Sequence, residues 1–302
     1  MKKFYLIILT VFCSGILMNA RGQQIPQYSQ YMFNPYMINP AVAGTNNYFQ
    51  IRSNNRYQWI GIPDAPQTYS LSVYGPHAKK DMGFGGMLYS DITGPTSRLG
   101  FSGSYAYNIR MTDEMRLSGG LMFGLLQYKV DGSKIDFGDE DITNDPALFS
   151  STKSTLAPDA SIGFYLYSTY YYVGVSAMQL LGNKLNFNND AVGINKLKQH
   201  FILAGGYKYY LTRDYELEPT LLLKYMNPSP VVVELDAKIT YRNKVWGGVS
   251  LRWKDAASIL IGYIHENKYM FGYSYDYSFT TLSHYNSGTH EIMIGVLFEN
   301  IK

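Results

Sequence analysis

Apolar and polar residues alternate along much of this chain, and the alternation predicts strands. In Leu99 to Arg110 one face reads Leu99, Phe101, Gly103, Tyr105, Tyr107, Ile109. The other reads Gly100, Ser102, Ser104, Ala106, Asn108, Arg110. In Val231 to Arg242 the apolar face holds Val231, Val233, Leu235, Ala237, Ile239 and Tyr241, against Glu234, Asp236, Lys238, Thr240 and Arg242. Lys244 to Lys254 repeats the theme, with Val245, Val249, Leu251 and Trp253 set against Ser250, Arg252 and Lys254. Successive side chains of a strand point to opposite faces, so each segment has one apolar and one polar side. Strands are expected at 48–58, 67–74, 83–91, 97–110, 115–130, 159–168, 170–180, 199–211, 215–227, 231–242, 244–254, 257–264, 268–277 and 289–299, about 14 in all.

The connections sort by length. Short turns fall at Met111–Glu114, Thr169, Thr212–Asp214, Asn243 and His265–Asn267. Long connections fall at Asp131–Pro158, Leu181–Lys198 and Ser278–Gly288, all of one parity. Bacterial outer-membrane barrels have short periplasmic turns and longer outer loops, and their strands carry aromatic residues at the interfaces. A soluble sandwich has no reason to sort its loops this way. The expected fold is an all-β transmembrane antiparallel barrel in the outer membrane, surrounded by its lipids. An even strand number puts both termini in the periplasm.

The start of the chain reads differently. Lys2 and Lys3 precede an apolar run from Phe4 to Met18, then Asn19-Ala20-Arg21-Gly22. This is the pattern of a secretory signal peptide over residues 1–22, cleaved after Gly22. The run falls short of the roughly 20 residues of a spanning helix. Residues 23–47 follow, rich in Tyr, Met and Phe but broken by Pro26, Pro35 and Pro40. Proline removes a backbone donor and disfavours helix before it, so neither helix nor strand of any length fits. This irregular segment needs a place to bury its aromatics, and we expect it against or inside the barrel formed by residues 48–302. The sole cysteine, Cys13, lies in the signal peptide, so the mature chain has no thiol chemistry. The 29 tyrosines suit a membrane–water interface. A net charge of +3, with signs interleaved, gives no nucleic-acid surface.

Catalytic and metal patterns are weak. Gly83 to Gly86 has no following helix and is no phosphate loop. His284, His290 and Glu291 lack a metal-ligand spacing. Ser283, His284 and Asp276 make a hydrolase only if they meet in space. We expect no enzyme, no metal and no cofactor. Glu234, Asp236, Lys238, Arg242, Arg252 and Lys254 read as a mixed-charge cluster facing the lumen, satisfying itself by ion pairs or docking a plug.

Two blocks carry a family resemblance. The first is Pro26-Gln27-Tyr28-Ser29-Gln30-Tyr31-Met32-Phe33-Asn34-Pro35, then Asn39-Pro40-Ala41 and Gly44. The second is Ile261-Gly262-Tyr263, Gly272-Tyr273-Ser274-Tyr275-Asp276-Tyr277 and Ser287-Gly288-Thr289-His290-Glu291-Ile292. Together they resemble the PorP/SprF family of type IX secretion outer-membrane proteins. The resemblance implies a non-enzymatic component that assists secretion or surface attachment of an adhesin-type substrate, including gliding adhesins. It also implies periplasmic type IX components as partners. Tyr28, Tyr31, Phe33, Asn34, Pro35, Asn39 and Pro40 are then the family's N-terminal motif. The long loops are the expected docking surface for the C-terminal domain of an exported surface protein, through Asp139, Glu140, Asp141, Phe149, Phe187 and Tyr285. The alternative function is an outer-membrane channel for small or apolar solutes.

Overall fold

The structure is a computed structural model, and it describes residues 25–135, 152–185 and 196–299. Fourteen antiparallel strands form a closed barrel. They are β1 (Tyr48–Tyr57), β2 (Gln67–Pro76), β3 (Met82–Thr93), β4 (Thr96–Arg110), β5 (Arg116–Asp131), β6 (Thr152–Tyr167) and β7 (Tyr171–Met178), followed by β8 in two segments, His200–Tyr207 and Tyr209–Tyr210. The barrel continues with β9 (Tyr215–Tyr225), β10 (Val232–Tyr241), β11 (Val245–Arg252), β12 (Ala256–His265), β13 (Tyr269–Ser278) and β14 (Thr289–Glu299). Each strand pairs with the next, and β14 pairs with β1 from Tyr48↔Glu299 to Tyr57↔His290. Closure leaves no edge strand to pair with another chain.

The two faces are the reverse of a water-soluble protein. Phe101 and Phe123 are 65% exposed and Ile259 is 66% exposed, all outward. Glu234 and Glu291 are 0% exposed, both inward. An outer apolar band with a polar interior is the arrangement lipid demands, since a closed barrel satisfies every ladder hydrogen bond internally. Tyrosines gather at the short-turn rim. Tyr170 and Tyr210 meet edge-on at 6.0 Å, and Tyr215 and Tyr241 lie 4.8 Å apart. Two of the short turns are two-residue reversals, Arg242-Asn243 and Glu266-Asn267, with every central φ between +50° and +55°. That backbone matches strand twist, and it explains how antiparallel strands reconnect so tightly there.

Three expectations need correcting. The connection expected at 131–158 is shorter, because β6 starts at Thr152 and pairs back to Asp131. Pro158 sits in that strand. It is tolerated because β7 pairs with β6 only from Ile162 to Tyr167, so one side of β6 above Ile162 has no ladder donor to supply. The strand expected over 199–211 is interrupted at Lys208. Arg242 and Lys254 do not face the lumen. Both adopt positive φ in tight turns, at +50° and +62°, and Arg242 pairs with Asp214 at 3.1 Å on the exposed rim. Alternation carried past a strand end misassigns the turn residue that follows.

The register makes a direct prediction. Leu235 points into lipid and Asp236 into the lumen. Leu235→Arg should cost about 2–4 kcal/mol near the midplane. Asp236→Asn, which keeps an acceptor oxygen, should cost much less. Urea unfolding of the barrel in lipid vesicles measures both, and equal costs would put the register off by one residue.

Candidate functional site

Residues 25–47 occupy the lumen. The segment has no long element of its own. Two short 3₁₀ turns, Pro35–Met37 and Pro40–Val42, each begin at a proline, which has no N–H to leave unsatisfied there. The Asn39 side chain caps the second turn by accepting from Ala41 N at 2.9 Å. Its amide reaches outward to the carbonyls of Phe164 and Val175, at 3.0 and 3.3 Å. Asn34 donates to Asn54 Oδ1 at 3.1 Å and to Ser72 Oγ at 3.0 Å. These two Asn-Pro pairs therefore fasten irregular backbone to the barrel wall, where a strand or helix would have used its own ladder.

The apolar residues of the segment fill the centre in two clusters. Tyr28, Tyr36, Met37, Ala41, Val42 and Ala43 pack on Tyr74, Met87, Ala106, Met122 and Tyr165. Tyr31, Met32, Phe33 and Ile38 pack on Met178, Ile202, Leu222, Trp246, Leu260, Met270 and Met293. Tyr36 stacks on Tyr74 at 4.5 Å, and its hydroxyl meets Ser104 Oγ at 2.8 Å. Burial pushes that hydroxyl up to about 12, and raises those of Tyr28 and Tyr31 as well, so all three stay neutral hydrogen-bonding groups. Phe33 stacks on Trp246 at 3.7 Å.

Two wall glycines clear the space. A Cβ on Gly83 would lie 2.1 Å from the Ala43 carbonyl oxygen, and one on Gly120 would lie 2.5 Å from Ala41 N. Both clashes are with backbone, so nothing flexible can give way. The inner segment and the wall are fitted to each other at these points.

Buried charge holds the segment's start. Arg56 of β1 pairs with Asp276 of β13 at 2.7 Å and with Glu291 of β14 at 3.2 Å. Ser29 completes this cluster. Its amide donates to Glu291 at 2.8 Å, its hydroxyl donates to Asp276 at 2.6 Å, and Arg56 Nη1 lies 2.9 Å from the same hydroxyl. Gln30 donates its side-chain amide to the Glu291 carbonyl at 3.0 Å. A second cluster joins Arg252 to Glu234 at 3.0 Å, and Gln27 donates to Glu234 at 2.9 Å. The Tyr31 hydroxyl donates to Asp236. The lumenal charges expected on β10 and β11 thus bind the segment as well as each other.

Tyr28, Tyr31, Phe33, Asn34, Pro35, Asn39 and Pro40 are all brought together in this plug. Tyr285 stands apart in the connection between β13 and β14, 75% exposed. Asp139, Glu140, Asp141, Phe149 and Phe187 lie outside the described residues. Asp276 is committed to Arg56 and Ser29, and His290 faces outward onto Tyr273 at 2.7 Å. The hydrolase and metal groupings therefore do not assemble from these residues. Arg56 and Gly120 were missed in the sequence, and Gly83 was noted without its contact. Arg56 shares an inward face with Gln50, Arg52 and Asn54, so its parity with charged neighbours was the available signal.

Two outcomes follow. Arg56→Met leaves Glu291 without its buried partner and Asp276 with only Arg252 at 3.9 Å, and should destabilise the barrel by about 3–5 kcal/mol, read by urea unfolding. Gly83→Val with Gly120→Val should expel the segment while the barrel stays folded. Proteolysis of residues 25–47 in purified protein would rise at least tenfold, and unchanged protection would contradict the fit described above.

Comparison with known proteins agrees with this architecture. The family model described as type IX secretion system membrane protein PorP/SprF matches residues 20–296. No curated protein matches the chain. Among solved structures, a Pseudomonas aeruginosa FadL homologue shares 12% identity at TM-score 0.50, over 93% of this chain and 96% of that one. The Ralstonia pickettii toluene transporter TbuX shares 11% at 0.49, over 87% and 92%. The CymD monoaromatic hydrocarbon channel shares 10% at 0.45, over 92% and 94%. At 12% identity the FadL homologue speaks to the barrel fold alone. The family match takes in both the plug and nearly the whole wall that grips it, and the chain belongs to the PorP/SprF family of type IX secretion system membrane proteins, as an outer-membrane β-barrel.

Proposed function

We propose that this barrel is a non-enzymatic holding and coupling component, which assists the secretion or surface attachment of an adhesin-type substrate, gliding adhesins included. The observation that carries this reading is the filled lumen. A polypeptide cannot pass a barrel whose interior is packed with its own aromatic side chains and pinned by buried ion pairs. The same observation weighs against the alternative of a channel for small or apolar solutes.

The division of labour between the rims follows from loop length. The short-turn rim, where the plug runs into β1 and where β14 ends, faces the periplasmic secretion components, and the C-terminus lies on that side. The long-loop rim faces outward and receives the C-terminal domain of the exported protein. Tyr285 is an exposed aromatic on that rim, in a loop tied to its neighbour by Ile60 N to Gly288 O at 2.9 Å and Ser287 N to Ile60 O at 2.7 Å. A fixed loop carrying an exposed aromatic is a suitable anchor for a partner. Asp139, Glu140, Asp141, Phe149 and Phe187 supply acidic and aromatic groups from the other long loops of the same parity.

The test has two parts. Deleting 138–150 together with 183–195, with Tyr285→Ala, should leave a folded barrel but release most of the exported partner from the cell surface. Retention of the partner on the cell would contradict the docking assignment. In planar bilayers the full chain should show no steady conductance, whereas removal of residues 24–44 should open a pore. A tag placed at 140 should be labelled on intact cells and a tag after Lys302 should not; the reverse pattern would invert the sidedness.

A further inference from the structure

A second cavity opens beside the plug, and its chemistry differs from the packed centre. It has a volume of about 210 Å³ and is reached from the short-turn rim, where Ser168, Tyr171 and Lys208 line it. Its depth is formed by Arg52 on β1, Tyr74 on β2, Glu218 on β9 and Lys238 on β10, with Phe33 of the plug as part of the wall. That space far exceeds the roughly 10–15 Å³ that one water requires.

The charge in this vestibule does not balance. Three cations, Arg52, Lys208 and Lys238, line it against one carboxylate, Glu218. Lys238 pairs with Glu218 at 2.6 Å, and the Tyr172 hydroxyl donates to the other Glu218 oxygen at 3.2 Å. Glu218 is thereby used up. Arg52 is only 5% exposed, yet among the described residues no carboxylate lies within ion-pairing distance of it. Its Nε donates to Gln50 at 2.9 Å, while its Nη1 is buried and has no acceptor. The contrast with Arg56 and Arg252 is sharp, since each of those has carboxylates in contact. A buried guanidinium without a counter-charge is costly. With Nε held by Gln50, the two terminal nitrogens of Arg52 form the planar fork that suits a carboxylate.

We propose that this vestibule binds a carboxylate ligand, gripped by Arg52 in its depth and met by Lys208 at its mouth. The tyrosine lining favours a carboxylate attached to a flat or apolar body. An acidic peptide segment and a free aromatic acid share this chemistry. The site is independent of the docking role given to the long loops, being at the other end of the barrel.

Isothermal titration on the purified full-length barrel tests this with five probes: benzoate, neutral benzamide, inorganic phosphate, the capped peptide acetyl-Glu-Tyr-Glu-amide and its Gln-Tyr-Gln counterpart. Benzoate and the Glu peptide should each bind at least tenfold more tightly than their neutral counterparts. A tighter peptide identifies a protein segment as the source, and a tighter benzoate identifies a free acid. Phosphate binding more tightly than both would overturn the assignment to carboxylates. Arg52→Gln should weaken binding at least tenfold. Lys208→Gln, at a half-buried position on the rim, should weaken it about threefold, and this arm stands if Arg52→Gln does not fold. Equal binding of benzoate and benzamide, or wild-type affinity in both variants, would refute the proposal.

Discussion

A charge placed inside a barrel has to be neutralised there, and in this protein that constraint ties the ends of the chain together. Arg56 near the beginning of the wall is caught between Asp276 and Glu291 near its end, across the seam where β1 meets β14. The ion pairs fall on one oxygen of each carboxylate, Asp276 Oδ2 and Glu291 Oε2, and each of these oxygens has room for a further donor. Ser29 supplies an amide and a hydroxyl to them, and so the segment ahead of the barrel becomes part of the barrel's own electrostatic balance. Removing one member of such a group strands the others in a dry interior.

Once the start of the segment is fixed in this way, the rest of its path is set by fit. Phe33 has Trp246 to stack on, Tyr36 has Tyr74, and the wall is bare at Gly83 and Gly120 where the backbone passes closest. The resulting object has a rigid, occupied middle and two distinct ends. Function is pushed to the rims. A vestibule rich in cations and tyrosine lies at the short-turn end, and exposed loops lie at the other. Under the proposed function, that is the construction of a clamp or anchor more than of a conduit.

Most of this fold was legible in the sequence because a lipid-facing strand advertises itself. Leu235 and Asp236 are neighbours in sequence and opposites in environment, and period-two alternation records that directly. The errors came where a local rule met a tertiary exception. Pro158 closes the expected connection 131–158, but stands within β6 where that strand has only one partner. Arg242 and Lys254 continued the polar parity of their strands into turns that had already left the lumen. The aromatic and proline content of residues 24–44 signalled burial without saying where. The two blocks of family resemblance were visible as separate patterns, one at each end of the chain. In three dimensions they touch, with Ser29 and Gln30 of the first bonded to Asp276 and Glu291 of the second. No periodicity encodes a contact between residues more than 240 positions apart. The fit of Gly83 and Gly120 was equally hidden, since a glycine in a strand does not say what approaches it.

The central claim is that the N-terminal segment sits inside the barrel in one fixed register. Disulfide trapping of Asn34→Cys with Ser72→Cys tests it most directly, because those side chains are in hydrogen-bond contact at 3.0 Å and the chain's one cysteine, Cys13, lies within the expected signal peptide. The account predicts near-complete disulfide formation in outer membranes under mild oxidation, and none when Asn34→Cys is combined instead with Val73→Cys, at a position that faces outward. Free thiols at 34 and 72, both open to a membrane-impermeant maleimide, would contradict it.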